Sequence, residues 1–276
     1  MKIAIVADSS ANTHIFDDME VTYVPLKIVT EKKEYVDDDN LDVSAMLSEL
    51  REYKGKSSTA CPCVNDWLDA FGDADMVLGC AITSNLSGCY NSARLAGEEY
   101  MEANPGKKVF ILDTLSTGPE MQLILEKYRE LILAGKSFDE IVEEVKAYSE
   151  KTHLIFALTS LDNFAKNGRV NPALAKAVGI LGIRIVGKAS DEGTLEPMHK
   201  CRGEKRALRQ LVASMKELGY SGGKVRISHS YNPEVAGNFT ALLKEEFPDC
   251  EVHVCLNRGL CCYYAEEGGM LIGFEG

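Results

Sequence analysis

Residues Met76–Ala93 read MVLGCAITSNLSGCYNSA. The first part, preceded by Asp75 and running to Ile82, is a short apolar run of the length of a buried strand. The last part continues into ARLAGEEYME and has the composition of a helix. Between them lies a turn crowded with small hydroxyl and amide groups: Thr83, Ser84, Asn85, Ser87, Asn91, Ser92 and Gly88. Such residues cap helices. The same groups, together with free amides at a helix N-terminus, also hold an anion.

Working outward, the strand–turn–helix unit recurs. KIAIVAD is a strand, and VTYVPLKIVT is a second, with Pro25 confined to an edge or bend. VSAMLSELREYK and CVNDWLDAFGD have helical spacing, KKVFILD is a strand, and MQLILEKYRELILAGK is a helix. Ser137 followed by Glu140 predicts a capping box at the head of the next helix. A second set begins with strand HLIFALTS and the short helices SLDNFAKNG and NPALAKAVG. IRIVGKAS and TLEPMHKC form a hairpin around DEG. Helix GEKRALRQLVASMKELG, strand KVRISHS, a helix from Asn232, strand CEVHVCLN and strand GMLIGFEG complete the set. Units in this order predict an α/β protein with mainly parallel or mixed sheets. The boundary between its two α/β domains falls near residue 150, giving 1–150 and 151–276.

The bulk numbers agree. A chain of 276 residues accommodates two domains. A net charge of -12 argues against a nucleic-acid partner. No segment approaches the roughly 20 apolar residues that span a bilayer, and MKIAIVADSS breaks at Asp8, too early for a signal peptide. Nine cysteines lack zinc-site spacing and read as reduced thiols packed as small hydrophobes. The expectation is a cytoplasmic protein with no stable membrane insertion, no metal and no cofactor.

Ligands of open parallel sheets bind at the carboxyl ends of strands. That rule selects five turns: DSSANT, TACP, TSNLSG, DTLSTG and SHSYNP. No phosphate-loop or dinucleotide fingerprint is present, so a nucleotide is not expected. No nucleophile elbow is present either. An enzyme acting on a small anionic substrate, with Ser87 or Cys89 as nucleophile and His229 as base, is the catalytic alternative. Asp37, Asp38 and Asp39 read as a solvated acidic loop. Binding without chemistry needs less: Ser87 and Gly88 at the head of a helix offer two or three donors, enough for one carboxylate.

The order DSSANT, TACP, ITSNLSGCYNSA, LDTLSTG, LTSLDNFAKNGRV, GKASDEGTL and CRGEKRAL resembles the DegV family of bacterial fatty-acid-binding proteins over nearly the whole chain. The resemblance implies two α/β domains enclosing one long-chain fatty acid such as palmitate in a cleft between them, and no catalysis by the chain itself. Some members of the family serve as the binding subunit of a fatty acid kinase, so the resemblance also implies a kinase partner, to which the carboxyl group would be presented. The family's carboxylate-binding Thr falls on Thr59, its Ser on Ser87 beside Gly88, and its second-domain Arg on Arg202. Ser84 and Asn91 belong to the same loop motif. Two departures stand out: TACP replaces TSQP, and Ala265 with Glu267, Gly268 and Gly269 replaces the family's His and GPG turn. Glu266 and Glu267 would repel an anion if they faced it, or serve as a contact surface in a partner-binding module. Candidate tail-lining residues are Phe156, Leu158, Leu161 and Phe164, and then Ile180, Leu181, Ile183 and Ile185 in a glycine-punctuated run.

Overall fold

The computed structural model describes residues 2–12, 16, 18–178 and 182–276; Ile180 and Leu181 lie outside the described residues. In chain order the first half contains β1 Ile3–Asp8, β2 Val21–Val24, β3 Lys27–Thr30, β4 Glu34–Val36, α1 Val43–Glu52, β5 Ser57–Ala60, α2 Val64–Phe71, β6 Met76–Ala81, α3 Cys89–Ala103, β7 Lys108–Asp113, α4 Pro119–Leu133 and α5 Phe138–Ser149. The second contains β8 Thr152–Leu158, α6 Asp162–Lys166, α7 Pro172–Val178, β9 Ile183–Ala189, β10 Leu195–Arg202, α8 Glu204–Glu217, β11 Lys224–His229, α9 Pro233–Glu246, β12 Glu251–Leu256, α10 Gly259–Ala265 and β13 Met270–Glu275.

The opening stretch is β6, its turn and α3. All residues of β6 are buried, because it is an inner strand of the parallel sheet β2-β1-β6-β7 with helices on both faces. Helices α2 and α3 pack on one face of this sheet, α4 and α5 on the other. The capping box of α5 is formed, with Ser137 N–H donating to Glu140 Oε2 at 2.8 Å.

Two strands differ from the sequence reading. VTYVPLKIVT is not one strand. Pro25, which has no N–H to give a ladder, separates β2 on the edge of the parallel sheet from β3, the centre of a small antiparallel sheet β4-β3-β5. TACP is not simply a turn, because Thr59 and Ala60 are the last residues of β5.

The second half forms the sheet β10-β9-β8-β13-β11-β12. Only β11 and β12 run parallel; the hairpin and the return of β13 make the remaining pairs antiparallel. Helices α8 and α9 cover one face. The other rests on α4, which is thus shared between the parallel sheet and the six-stranded one. Gly273 of β13 makes this possible: a Cβ there would stand 2.5 Å from the Glu120 amide nitrogen. The start of α4 lies directly on the strand.

Burial at this junction leaves one titratable group under strain. Glu120 is 5% exposed, and its Oε1 accepts from Thr152 Oγ1 at 2.8 Å. Burial is the dominant effect and lifts the carboxyl to about 7 from an ordinary 4.5. The fold therefore favours the neutral acid: this contribution is complete below about pH 4.5 and is lost as pH rises through about 7. Glu120→Gln is expected to melt like the parent at pH 4.5 but to be more stable by about 3 kcal/mol at pH 8, from roughly two and a half pH units at 1.36 kcal/mol each. Denaturant unfolding at the two pH values measures the difference.

Candidate ligand-binding site

Three strand ends of the first half meet the six-stranded sheet of the second. Asp8, at the end of β1, accepts from Ile82 N–H at 2.7 Å and from Cys89 Sγ at 3.4 Å, which fixes the loop after β6 and the head of α3. Thr83 N–H donates to Ser116 O at 2.9 Å, tying that loop to the one after β7. Ser87 N–H donates to Thr83 O at 3.2 Å, and Ser87 Oγ accepts from Cys89 N–H at 3.2 Å. Gly88 lies so close to β5 that a Cβ there would stand 3.3 Å from Cys61 Sγ.

These loops border a cavity of about 310 Å³. Thr59, Ser87 and Gly88 lie on its wall, with Tyr264 and Arg169. Thr59 Oγ1 and Tyr264 OH are 2.8 Å apart. Burial raises the Tyr264 phenol, so it remains a protonated donor at neutral pH. Arg169 bonds two backbone carbonyls, Leu86 O at 3.1 Å through Nε and Asn167 O through Nη1. Neither partner carries a net charge. Away from this polar end the wall is apolar: Leu158, Phe156 and Leu154 at alternate positions of β8, Leu271 of β13, and Leu260 and Ala265 of α10. The β9–β10 hairpin closes one side. Its Gly193 has φ +72°, and any Cβ there would overlap Thr83 Oγ1, so only glycine fits the tip. Asn85 Nδ2 holds the tip by donating to Glu192 O at 2.6 Å.

The structure does not bring the other expected site residues to this wall. Ser84 is exposed, and its N–H donates to Asp113 Oδ1 at 3.1 Å. Asn91 is exposed on α3 and accepts from Arg94. Arg202 is exposed at the end of β10. Among the tail candidates, Phe156, Leu158 and Phe164 line the cavity, whereas Leu161 and Ile185 are packed in the core behind it and Ile183 is half-buried in β9. Three of the five selected turns contribute lining residues; DSSANT and SHSYNP do not.

The catalytic alternative is not assembled. Cys89 is fully buried, and burial followed by the Asp8 carboxylate pushes its thiol well above the ordinary range. His229 Nδ1 is taken up by Asn232 N–H at 3.1 Å, and burial lowers its pKa. Neither is on the described cavity wall. The acidic turn also points elsewhere. Glu266 accepts from Ser160 Oγ at 2.9 Å and Asn163 N–H at 3.1 Å, heading α6, and Glu267 pairs with Arg51.

Sequence reasoning missed α10 and the residue that anchors it. Asp37 is not solvated: it is 1% exposed and accepts from Gly259 N–H at 2.8 Å, Leu260 N–H at 3.0 Å and Ser9 Oγ at 2.9 Å. It caps a helix more than two hundred residues away, so no local spacing could reveal it. DSSANT has the same kind of role. Asn12 Nδ2 donates to Asn257 Oδ1 at 3.0 Å, and its Oδ1 accepts from Arg258 N–H at 2.8 Å. The turn joins the two halves rather than facing the cavity.

Fold and cavity together define a two-domain α/β protein with an apolar chamber closed by hydroxyls, a phenol and a guanidinium. A family model described as "Uncharacterised protein, DegV family" matches residues 2–275. The chain belongs to the DegV family. It is 39% identical over 275 residues to a DegV domain-containing protein of Streptococcus pyogenes serotype M1, with 98% of each chain covered. Among solved structures, it is similar to a DegV family protein from Eubacterium eligens loaded with heptadecanoic acid (TM-score 0.97, 43% identity, 99% of each chain). It is also similar to the Streptococcus pneumoniae fatty acid kinase (Fak) B3 protein loaded with linoleic acid (TM-score 0.97, 38% identity, 100% of this chain and 99% of that one).

Asp37→Ala is expected to leave three buried donors without an acceptor, costing about 3 kcal/mol. A urea midpoint unchanged from the parent would contradict the anchoring role.

Proposed function

We propose that the protein binds one long-chain fatty acid, carboxylate at the Thr59–Ser87 end and acyl chain along β8, and performs no chemistry on it. The observation that carries this reading is the join of a small polar cluster to a continuous apolar wall in one cavity. The relatives described above carry such ligands. In this reading residues 1–150 supply the hydroxyl loops, and residues 151–276 supply the tail wall together with Tyr264 and Arg169. Gly88 lets a carboxylate oxygen approach the amides at the head of α3.

Arg169 takes the charge-balancing role for which the family uses a histidine, since Ala265 at that position is an apolar part of the wall. A carboxylate removed from water without donors costs several kcal/mol or takes up a proton. About a dozen buried methylenes offer roughly 10 kcal/mol before ordering costs. The tail thus sets the affinity, and the polar end sets the orientation and the preference for the ionised acid. Similarity to the fatty acid kinase B3 protein supports a kinase subunit as partner, with the carboxylate end as the group presented.

Native mass spectrometry of protein from a bacterial host is expected to show one co-purified fatty acid; a bare polypeptide mass with no uptake of added palmitate would reject the reading. Arg169→Ala is expected to weaken palmitate binding about tenfold or more at pH 8, the worth of one charge-assisted hydrogen bond. Thr59→Val should cost less, because Tyr264 OH remains. Equal affinities for the parent and Arg169→Ala by titration calorimetry would remove Arg169 from the site.

A further inference from the structure

The apolar wall contains one place where a side chain is missing. Along β8 the cavity-facing residues are Leu158, Phe156 and Leu154, which span roughly 13 Å at strand spacing. The polar end lies near Leu158, since α6 follows β8 and its Phe164 stacks on Tyr264 with ring centroids 4.7 Å apart. Phe156 therefore sits at the middle of the lane. It is paired on one side with Leu271 of β13 and on the other with Gly187 of β9. Residues paired across antiparallel strands project to the same face, so position 187 faces the cavity side of the sheet. The ring of Phe156 occupies that space: a Cβ at position 187 would stand 2.5 Å from its Cζ and 2.6 Å from its Cε2. Pro197 of β10 pairs with Gly187 on its other side, and the carbonyl oxygen of the preceding Glu196 would lie 2.6 Å from that Cβ.

Resting on the reading that a fatty acid fills this cavity, we propose that the Phe156–Gly187 pair sets which acyl shapes it accepts. Because position 187 has no side chain, the Phe156 ring lies over β9 instead of standing up into the lane. The lane is thereby widened at mid-chain, where a cis double bond bends an acyl chain. A side chain at position 187 pushes against both the ring and the Glu196 carbonyl of β10; it displaces the ring into the lane and narrows it to a straight chain. The pair is a specificity device distinct from the carboxylate contacts, which read every fatty acid alike.

The test is the ratio of oleate to stearate affinity, two acids of equal length and identical head group, measured by competition in native mass spectrometry. Gly187→Ala is expected to lower the oleate-to-stearate ratio about tenfold, the usual scale of an overpacked core position. Phe156→Leu is expected to raise the ratio, and the double variant to depart from the product of the two single effects, as coupled neighbours do. The ratio does not move when a variant is merely less stable, and Phe156→Leu decides the matter if Gly187→Ala fails to fold. A parent that binds both acids, with a ratio unmoved by Phe156→Leu and Gly187→Ala, overturns this proposal alone. A parent that takes up neither acid overturns the underlying reading, and this one with it.

Discussion

The buried carboxylate of Asp37 holds the molecule together at the point where it matters for binding. It lies in the first half of the chain, yet its two amide partners are the first residues of α10, near the end of the second. Burial pushes its carboxyl upward in pKa, and the two amides and the Ser9 hydroxyl act against that push. A helix of only seven residues has little stability of its own. Cap and packing must therefore supply what length cannot. Because α10 contributes Leu260, Cys261, Tyr264 and Ala265 to the cavity, this remote cap sets the position of one wall.

The other walls follow from sharing. Helix α4 serves two sheets at once, and Gly273 lets its first turn touch β13. The loop leading into α4 then reaches the cavity with Leu115, Ser116 and Thr117. Polar groups come from strand ends, where backbone amides and small hydroxyls collect. Apolar ones come from the face of a sheet. A chamber built where strand ends meet a sheet face therefore has one wet end and one dry wall, which is the shape of an amphiphile.

Much of this was legible in the sequence because it is local. Strand and helix identities follow from apolar periodicity, and the Ser137–Glu140 cap and the DEG hairpin follow from short-range turn chemistry. The loop of Ser87 and Gly88 is legible because strand-end loops of an α/β fold are few, and Thr59 follows from the family resemblance; all three lie on the cavity wall. The rest was hidden by distance. Asp37 looked solvated beside Asp38 and Asp39, since its partners lie at Gly259 and Leu260. DSSANT looked like a ligand turn because inter-domain hydrogen bonds use the same residue types as a binding loop. Arg169 lay in a recognised motif, KNGRV, but only the fold carries it to the loop after β6 through Leu86 O. Arg202 is expected from the family resemblance and Ser84 and Asn91 from the loop motif they share with Ser87; all three are exposed and stand off the cavity wall.

The order of strands in the large sheet has a bearing on how the protein comes into being on the ribosome. β13, the last strand of the fold, lies between β8 and β11. Until it is made, β10-β9-β8 and β11-β12 are two fragments with no shared hydrogen bonds. α10 immediately precedes it, so the cavity lacks a wall for the same interval. Such long-range pairing is slow to form. Until β13 and α10 have been made, the apolar faces of Leu154, Phe156 and Leu158 lack the strand and the helix that complete the chamber around them.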